Sequence, residues 1–315
     1  MNAKKACRAL NLGLLFLLAL HVSARYLGFV LFPRVRAADG SDTGVSQDYA
    51  QYYFAGTPRD SVDTVFVGSS HAFCSVDVNL LKRDYGVDGI LLTSSGQNLM
   101  LSYYAVLEAI ELQHPKTVVL ETGFAAEERE APTVLAKRYF FDCMPNWTRA
   151  KALGVRAVGD EPYLYYYPVT ALHNAWPDIQ RGDFRLPPRL PDGERYCYVF
   201  DVTGAVEPWT ALPPEEKAPL PEASERWLRE ILTLCRENDM RLILYTAPCQ
   251  ADEHAQRIYN GLVDFAAAEG LPYRNFLQDM DEIGLDFSRD IQDEGHLNRS
   301  GQQKLTRYLA ETLLK

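Results

Sequence analysis

Two loops of this sequence carry side chains suited to acyl transfer through a serine nucleophile. One is Gly68-Ser69-Ser70-His71, and the other is Asp293-Glu294-Gly295-His296-Leu297-Asn298. A serine hydroxyl is a poor nucleophile until a base takes its proton, and histidine suits that task because its unperturbed pKa lies near neutrality. A carboxylate three residues earlier on one turn can reach the other imidazole nitrogen and fix its tautomer. Ser70, His296 and Asp293 are therefore the candidate catalytic triad. A third loop, Ser94-Ser95-Gly96-Gln97-Asn98, lies between them in the chain. Gly96 allows close backbone approach to a ligand, and the amide of Gln97 or Asn98 could donate to a developing oxyanion.

Each loop alone also has a plain structural reading. Gly-Ser-Ser is common in ordinary loops, Asp-x-x-His fits a turn before a helix, and Gly-Gln-Asn fits a turn followed by an asparagine helix cap. Ser69 competes with Ser70 for the nucleophile position. His71 is a candidate substrate contact, although its adjacency to Ser70 points it elsewhere. Glu121 and Asp290 are alternative orienting carboxylates, and Cys74 reads as core. His21, His114, His173 and His254 have no positional motive.

The elements that must position these loops follow from apolar patterning. Short apolar runs at 64–67, 90–92, 116–120, 241–245 and 273–276 read as buried strands. Helical spacing appears over 98–112, ended by Pro115, and over 223–237, 254–268 (closed by Gly270) and 300–313. Asn298 or Ser300 can cap the last of these. Continuous apolar strands alternating with helices imply a parallel sheet covered on both faces. The fold class is therefore α/β, a three-layer α/β/α sandwich with a central parallel sheet. The loops that carry the candidate triad and Gly96 follow strands or precede the last helix, and the carboxyl ends of such strands hold active sites. Residues 127–221 break the pattern and are rich in Pro, Tyr and Trp, notably 163–168 and 185–191. They read as an insertion or lid, partly helical near 148–158, whose aromatics line a sugar-binding cleft or pack onto the body.

Taken together, the three loops resemble the SGNH/GDSL hydrolases. That family places a serine after the first strand, a glycine after the second and Asp-x-x-His before the C-terminal helix. The resemblance covers about 63–315, interrupted by the insertion. It implies a flavodoxin-like SGNH fold with Ser70 as nucleophile, Gly96 as the second-block glycine, and Asp293 and His296 as the last block. The backbone N–H groups of Ser70 and Gly96 would hold the oxyanion, with no metal or organic cofactor. Two departures stand out. The usual Gly-x-Asn-Asp after the third strand is replaced by Leu120-Glu121-Thr122-Gly123, so Asn98 or Gln97 would stand in for the oxyanion asparagine. The Asp of Gly-Asp-Ser is replaced by Ser69. Both departures are similar to exported branches of the family, the D-alanyl-lipoteichoic-acid transfer proteins and the accessory proteins of surface-polysaccharide O-acetylation. The expectation is an extracytoplasmic serine esterase or acyltransferase acting on an acylated glycan or other ester, with a membrane-bound acyltransferase as a partner. The rival from another class is a non-catalytic binding or assembly protein that keeps the fold. A flavodoxin-like nucleotide binder lacks its glycine-rich phosphate loop here.

Composition narrows the partners. The formal net charge is −10 and the soluble part has no basic cluster, which argues against nucleic acid. None of the six cysteines form Cys-x-x-Cys, which argues against structural zinc and leaves buried small hydrophobes as the plain reading. Lys4, Lys5 and Arg8 precede apolar runs at 10–22 and 26–32. Together 9–32 exceeds the ~20 residues of a membrane span, and the positive cluster predicts a cytoplasmic N-terminus with the remainder exported. Arg34 and Arg36 on the far side run against that orientation. The favoured reading is a single-pass anchor over 1–36, then a linker and lead-in over 37–60 and the α/β domain over 61–315. A signal peptide cleaved after Val22-Ser23-Ala24, giving a secreted protein, is the rival. Asn146-Trp147-Thr148 and Asn298-Arg299-Ser300 match a glycosylation pattern.

Overall fold

Four runs, TVFVG, GILLT, TVVLE and RLILYT, are apolar at nearly every position and buried along nearly all their length. A strand apolar on both faces needs cover on both faces, and a parallel sheet between helix layers supplies it. The computed structural model describes residues 3–31, 57–142, 144–167, 194–195 and 197–315. In it β1 (Thr64–Gly68), β2 (Gly89–Thr93), β3 (Thr117–Glu121), β4 (Arg241–Thr246) and β5 (Tyr273–Asn275) form one parallel sheet in the order β2-β1-β3-β4-β5. This is the doubly wound order in which ligands bind outside the carboxyl ends of β1 and β3, where the winding reverses.

Side chains on the strands alternate between the two faces. Phe66, Leu91, Val119 and Ile243 share a core with Leu305, Leu309 and Leu313 from the C-terminal segment. The alternate positions, Val65, Ile90, Val118 and Leu242, are equally buried. They face the helices Leu99–Gln113, which packs on β1 and β2, and Glu222–Glu237, which packs on β4. The sheet thus has helices on both sides, as the strand pattern predicts.

The helix boundaries follow their caps. The Asn98 side chain accepts from the Leu101 N–H to start Leu99–Gln113, and Gly270 closes Glu253–Glu269 in the left-handed conformation. The C-terminal helix, Arg299–Thr312, is capped by Asn298 rather than Ser300, its side chain accepting from the Ser300 and Gly301 N–H groups. The chain before it is not a simple turn. Ile291–Asp293 and His296–Leu297 pair as a small antiparallel hairpin.

Two compact units are present. One comprises 1–46 with 159–189, the other 47–158 with 190–315. In the first, Ala3–Leu31 is one continuous helix that runs through Arg25, and the His21 ring meets the Tyr167 hydroxyl at 2.9 Å. Its stretch Lys4–Ala24 is long and apolar enough to cross a membrane by length and composition, a test that a signal sequence also passes. In the second unit, the expected insertion contributes the helices Val134–Phe141 and Arg149–Ala157. Farther on, Tyr198 and Phe200 lie against the core of the C-terminal helix, and Trp209 is buried with its ring edge-on to Phe287. These aromatics pack onto the body of the domain. The linker 37–48, the stretch 185–191, Cys143 and His173 lie outside the described residues. Cys74, Cys235 and Cys249 are buried free thiols, as small core residues would be, and Cys7 is exposed.

Candidate active site

β1 must end abruptly for Ser70 to emerge above the sheet. Gly68 permits this at φ +152°, where a Cβ would stand 2.7 Å from the Glu121 Cβ and 3.0 Å from that of Ala72. Ser69 follows, fully buried, and caps the short helix Ser70–Phe73 by accepting from the His71 N–H at 3.2 Å. Ser70 takes the first helical position, so its N–H has no intrahelical acceptor.

The hairpin supplies the other half of the site. Asp293 Oδ1 accepts from the Gly295 N–H at 2.9 Å and from His296 Nδ1 at 2.8 Å. His296 Nε2 lies 2.8 Å from Ser70 Oγ. With a proton on Nδ1 directed at the carboxylate, Nε2 is left to accept from the serine hydroxyl, the tautomer this network favours. Asn298 ties the hairpin to the helix behind it. Its Nδ2 donates to the Arg289 carbonyl at 2.7 Å and to Thr203 Oγ1 at 3.2 Å.

The structure therefore brings Ser70, His296 and Asp293 together and separates them from several other candidates. Ser69 cannot be the nucleophile in this arrangement, because it has no exposed surface and its Oγ donates to Glu121 Oε2 at 3.3 Å. Gln97 and Asn98 do not present a free amide. Gln97 Nε2 donates to the Leu92 carbonyl (3.1 Å) and to Ser102 Oγ (3.2 Å). Asn98 Nδ2 donates to the Glu130 carbonyl at 2.9 Å while its oxygen caps the helix. Both amides are braces of their loop. Gly96 turns that loop at φ +69°. The buried Asp290 pairs with Lys304 instead of reaching His296. Asn298, in the second glycosylation pattern, is likewise buried and committed as a cap.

His71 corrects an expectation. Its ring does not point away; it lies 5.7 Å from the His296 ring and 6.2 Å from Phe124. Burial first, then the neighbouring His296, push its pKa down to about 4 against the pull of Asp293, so the ring is neutral at neutral pH. Its Nδ1 is buried without a hydrogen-bond partner. The Phe200 ring also stands 5.8 Å from the His296 ring.

Glu121, weighed from sequence only as an alternative to Asp293, takes a different place in the structure. It does not orient His296. It lies beneath the loop that carries Ser70, 3% exposed, and Oε1 accepts from the Gly123 N–H at 2.7 Å and from the Ala247 N–H at 3.5 Å. Burial lifts its pKa to about 7, against the hydrogen bonds from Gly123, Ala247 and Ser69 that favour the carboxylate. One signal was available, a carboxylate closing the otherwise apolar run TVVLE. Nothing in the sequence marked Phe200. Among the described residues, no group of three His, Cys, Asp or Glu could hold a metal ion.

No family model matches this chain, and no curated protein matches it. Among solved structures, it is similar to a proposed acylhydrolase from Bacteroides fragilis NCTC 9343 (11% identity, TM-score 0.40, covering 84% of this chain and 93% of that one). It is also similar to a GDSL-like lipase from Bacteroides thetaiotaomicron VPI-5482 (12% identity, TM-score 0.37, covering 84% and 96%). A third similar structure is an acetyl xylan esterase from the rumen bacterium Butyrivibrio proteoclasticus (11% identity, TM-score 0.33, covering 82% and 66%).

Proposed function

We propose that this chain is an extracytoplasmic serine esterase or acyltransferase of the SGNH/GDSL type that acts on ester-linked acyl groups of cell-envelope carbohydrate. The observation that carries the reading is the relay from Ser70 Oγ through the His296 ring to Asp293, with both hydrogen bonds at 2.8 Å. Ser70 Oγ attacks the ester carbonyl as His296 Nε2 takes its proton. Asp293 keeps the Nδ1 proton in place and stabilises the imidazolium that forms. The negative charge that develops on the carbonyl oxygen falls to the backbone N–H groups of Ser70 and Gly96. When the tetrahedral species collapses, the leaving alcohol takes the proton from His296, and the acyl group stays on Ser70. A second hydroxyl, of water or of a sugar, then repeats the sequence in reverse.

The N-terminal apolar helix supports export and tethering, which would hold the domain at a surface where glycan esters and a membrane-bound acyltransferase are at hand. The net charge of −10 over the whole chain suits a neutral or cationic substrate better than a polyanion. The replacement of Gly-x-Asn-Asp by Leu120-Glu121-Thr122-Gly123 favours a second reading, a non-catalytic binding or assembly protein.

Labelling the detergent-purified full chain with a serine-directed fluorophosphonate decides between them. The expected result is label on the parent and on Ser69→Ala, with none on Ser70→Ala or His296→Ala, all four remaining folded. A folded parent that takes no label overturns the enzyme reading in favour of the binding role.

A further inference from the structure

We propose that Glu121 is the positioning residue of the nucleophile, its buried carboxylate acting through Ser69 to hold the Ser70 hydroxyl within reach of His296. This inference rests on the serine-esterase reading above. Glu121 is the last residue of β3, next to β1 on one side and β4 on the other. Its two oxygens reach the loops after all three strands, at Ser69, Gly123 and Ala247. Every partner is a donor, so the hydrogen bonds favour the ionised, acceptor-only form of Glu121 while burial opposes it.

The backbone is shaped to fit this group. A Cβ on Gly68 would stand 2.7 Å from the Glu121 Cβ, and one on Gly123 would stand 2.8 Å from Glu121 Oε1 and 2.7 Å from His71 Nδ1. Two glycines, one on each side, thus let the loops close down on one carboxylate and its neighbour. An apolar side chain of similar volume would avoid the desolvation of a buried charge but would leave the buried Gly123 and Ala247 N–H groups unpaired. The bond to Ser69 adds position to that structural role. Ser69 Oγ donates to Glu121 Oε2 while accepting from the His71 N–H, and these two bonds fix the turn that presents the next residue, Ser70. A misplacement of about 1 Å at such a group can cost ~100-fold in rate.

The test is the rate of fluorophosphonate labelling of the full chain for the parent, Glu121→Gln, Ser69→Ala and the double variant, with thermal unfolding measured on each. Each single variant is expected to lower the maximal labelling rate at least tenfold while leaving the concentration for half-maximal rate within about threefold. The double variant is expected to be no slower than the slower single, because both act through one bond. A folded Glu121→Gln that labels at the parent rate overturns the inference, and so do single effects that multiply in the double variant. If Glu121→Gln does not fold, Ser69→Ala decides alone, and labelling at the parent rate overturns the proposal. A folded parent that takes no label instead sinks the esterase reading, and this inference with it.

Discussion

The loop that carries Ser70 and the hairpin that carries His296 meet at a single 2.8 Å hydrogen bond, and they are held by different means. The hairpin is local. Asp293 reaches His296 across three residues, its side chain is 49% exposed, and its second bond goes to the N–H of Gly295. The serine loop is non-local. Its conformation depends on Gly68, on the buried Glu121 52 positions later, and on Ala247 beyond that. A local device can be altered without disturbing the fold, whereas a non-local one built into the sheet cannot. If the proposed roles hold, substitutions on the hairpin side should therefore act on chemistry, and those on the Ser70 side on chemistry and stability together.

The sharpest test of the base side is Asp293→Asn. It keeps the shape but inverts the hydrogen-bond preference at His296 Nδ1, and the expected loss in fluorophosphonate labelling is about 10³-fold. Because Asp293 is half exposed and lies in a surface hairpin, unfolding free energy should move by no more than about 0.5 kcal/mol. A loss smaller than tenfold would remove Asp293 from its role. On the nucleophile side, Gly68→Ala meets both a disfavoured φ and two side chains at 3.0 Å or closer. Strain and overpacking together should cost roughly 3 kcal/mol in urea unfolding. The matched change in the hairpin is Gly295→Ala, where a new Cβ would find its nearest neighbours at 3.7 Å. Its expected cost is below about 1 kcal/mol. Equal costs for the two alanines would break the contrast between the halves of the site.

That contrast also marks what could be read from sequence. The four long strands and the helices Leu99–Gln113, Glu222–Glu237, Glu253–Glu269 and Arg299–Thr312 were legible because their patterns and caps are local, and so was the spacing of Asp293 and His296. The role of Asn98 was ambiguous, since one asparagine can cap a helix or bind a ligand, and only the Glu130 carbonyl that takes its amide resolves this. Glu121 was legible as an oddity but not as a brace, because its partners Ser69 and Ala247 lie 52 and 126 positions away. His71 was misjudged for the same reason. Adjacent residues on a helix do face different ways, but Ser70 and His71 both open a helix of four residues, where one turn places His71 beside the hairpin.

In the parent the pH dependence of stability is expected to be weak, because two buried groups on the Ser70 side oppose each other. His71 falls from its ordinary 6.5 to about 4, so between those values the unfolded chain binds the extra proton and the contribution of His71 to stability is lost as pH falls. Glu121 rises from 4.5 to about 7, so between those values the folded chain binds the extra proton and its contribution is lost as pH rises. Over pH 4.5 to 6.5 each slope is bounded by about 1.4 kcal/mol per pH unit, and the two offset in the parent. Variants should separate them. In urea unfolding at pH 4.5, 5.5 and 6.5, Glu121→Gln should gain on the parent as pH rises, whereas His71→Asn should lose ground. Differences that run in the same direction would mean that the two groups are not both buried in the states that their surroundings impose, and the Ser70 loop would then be less closed than the hydrogen bonds of Glu121 require.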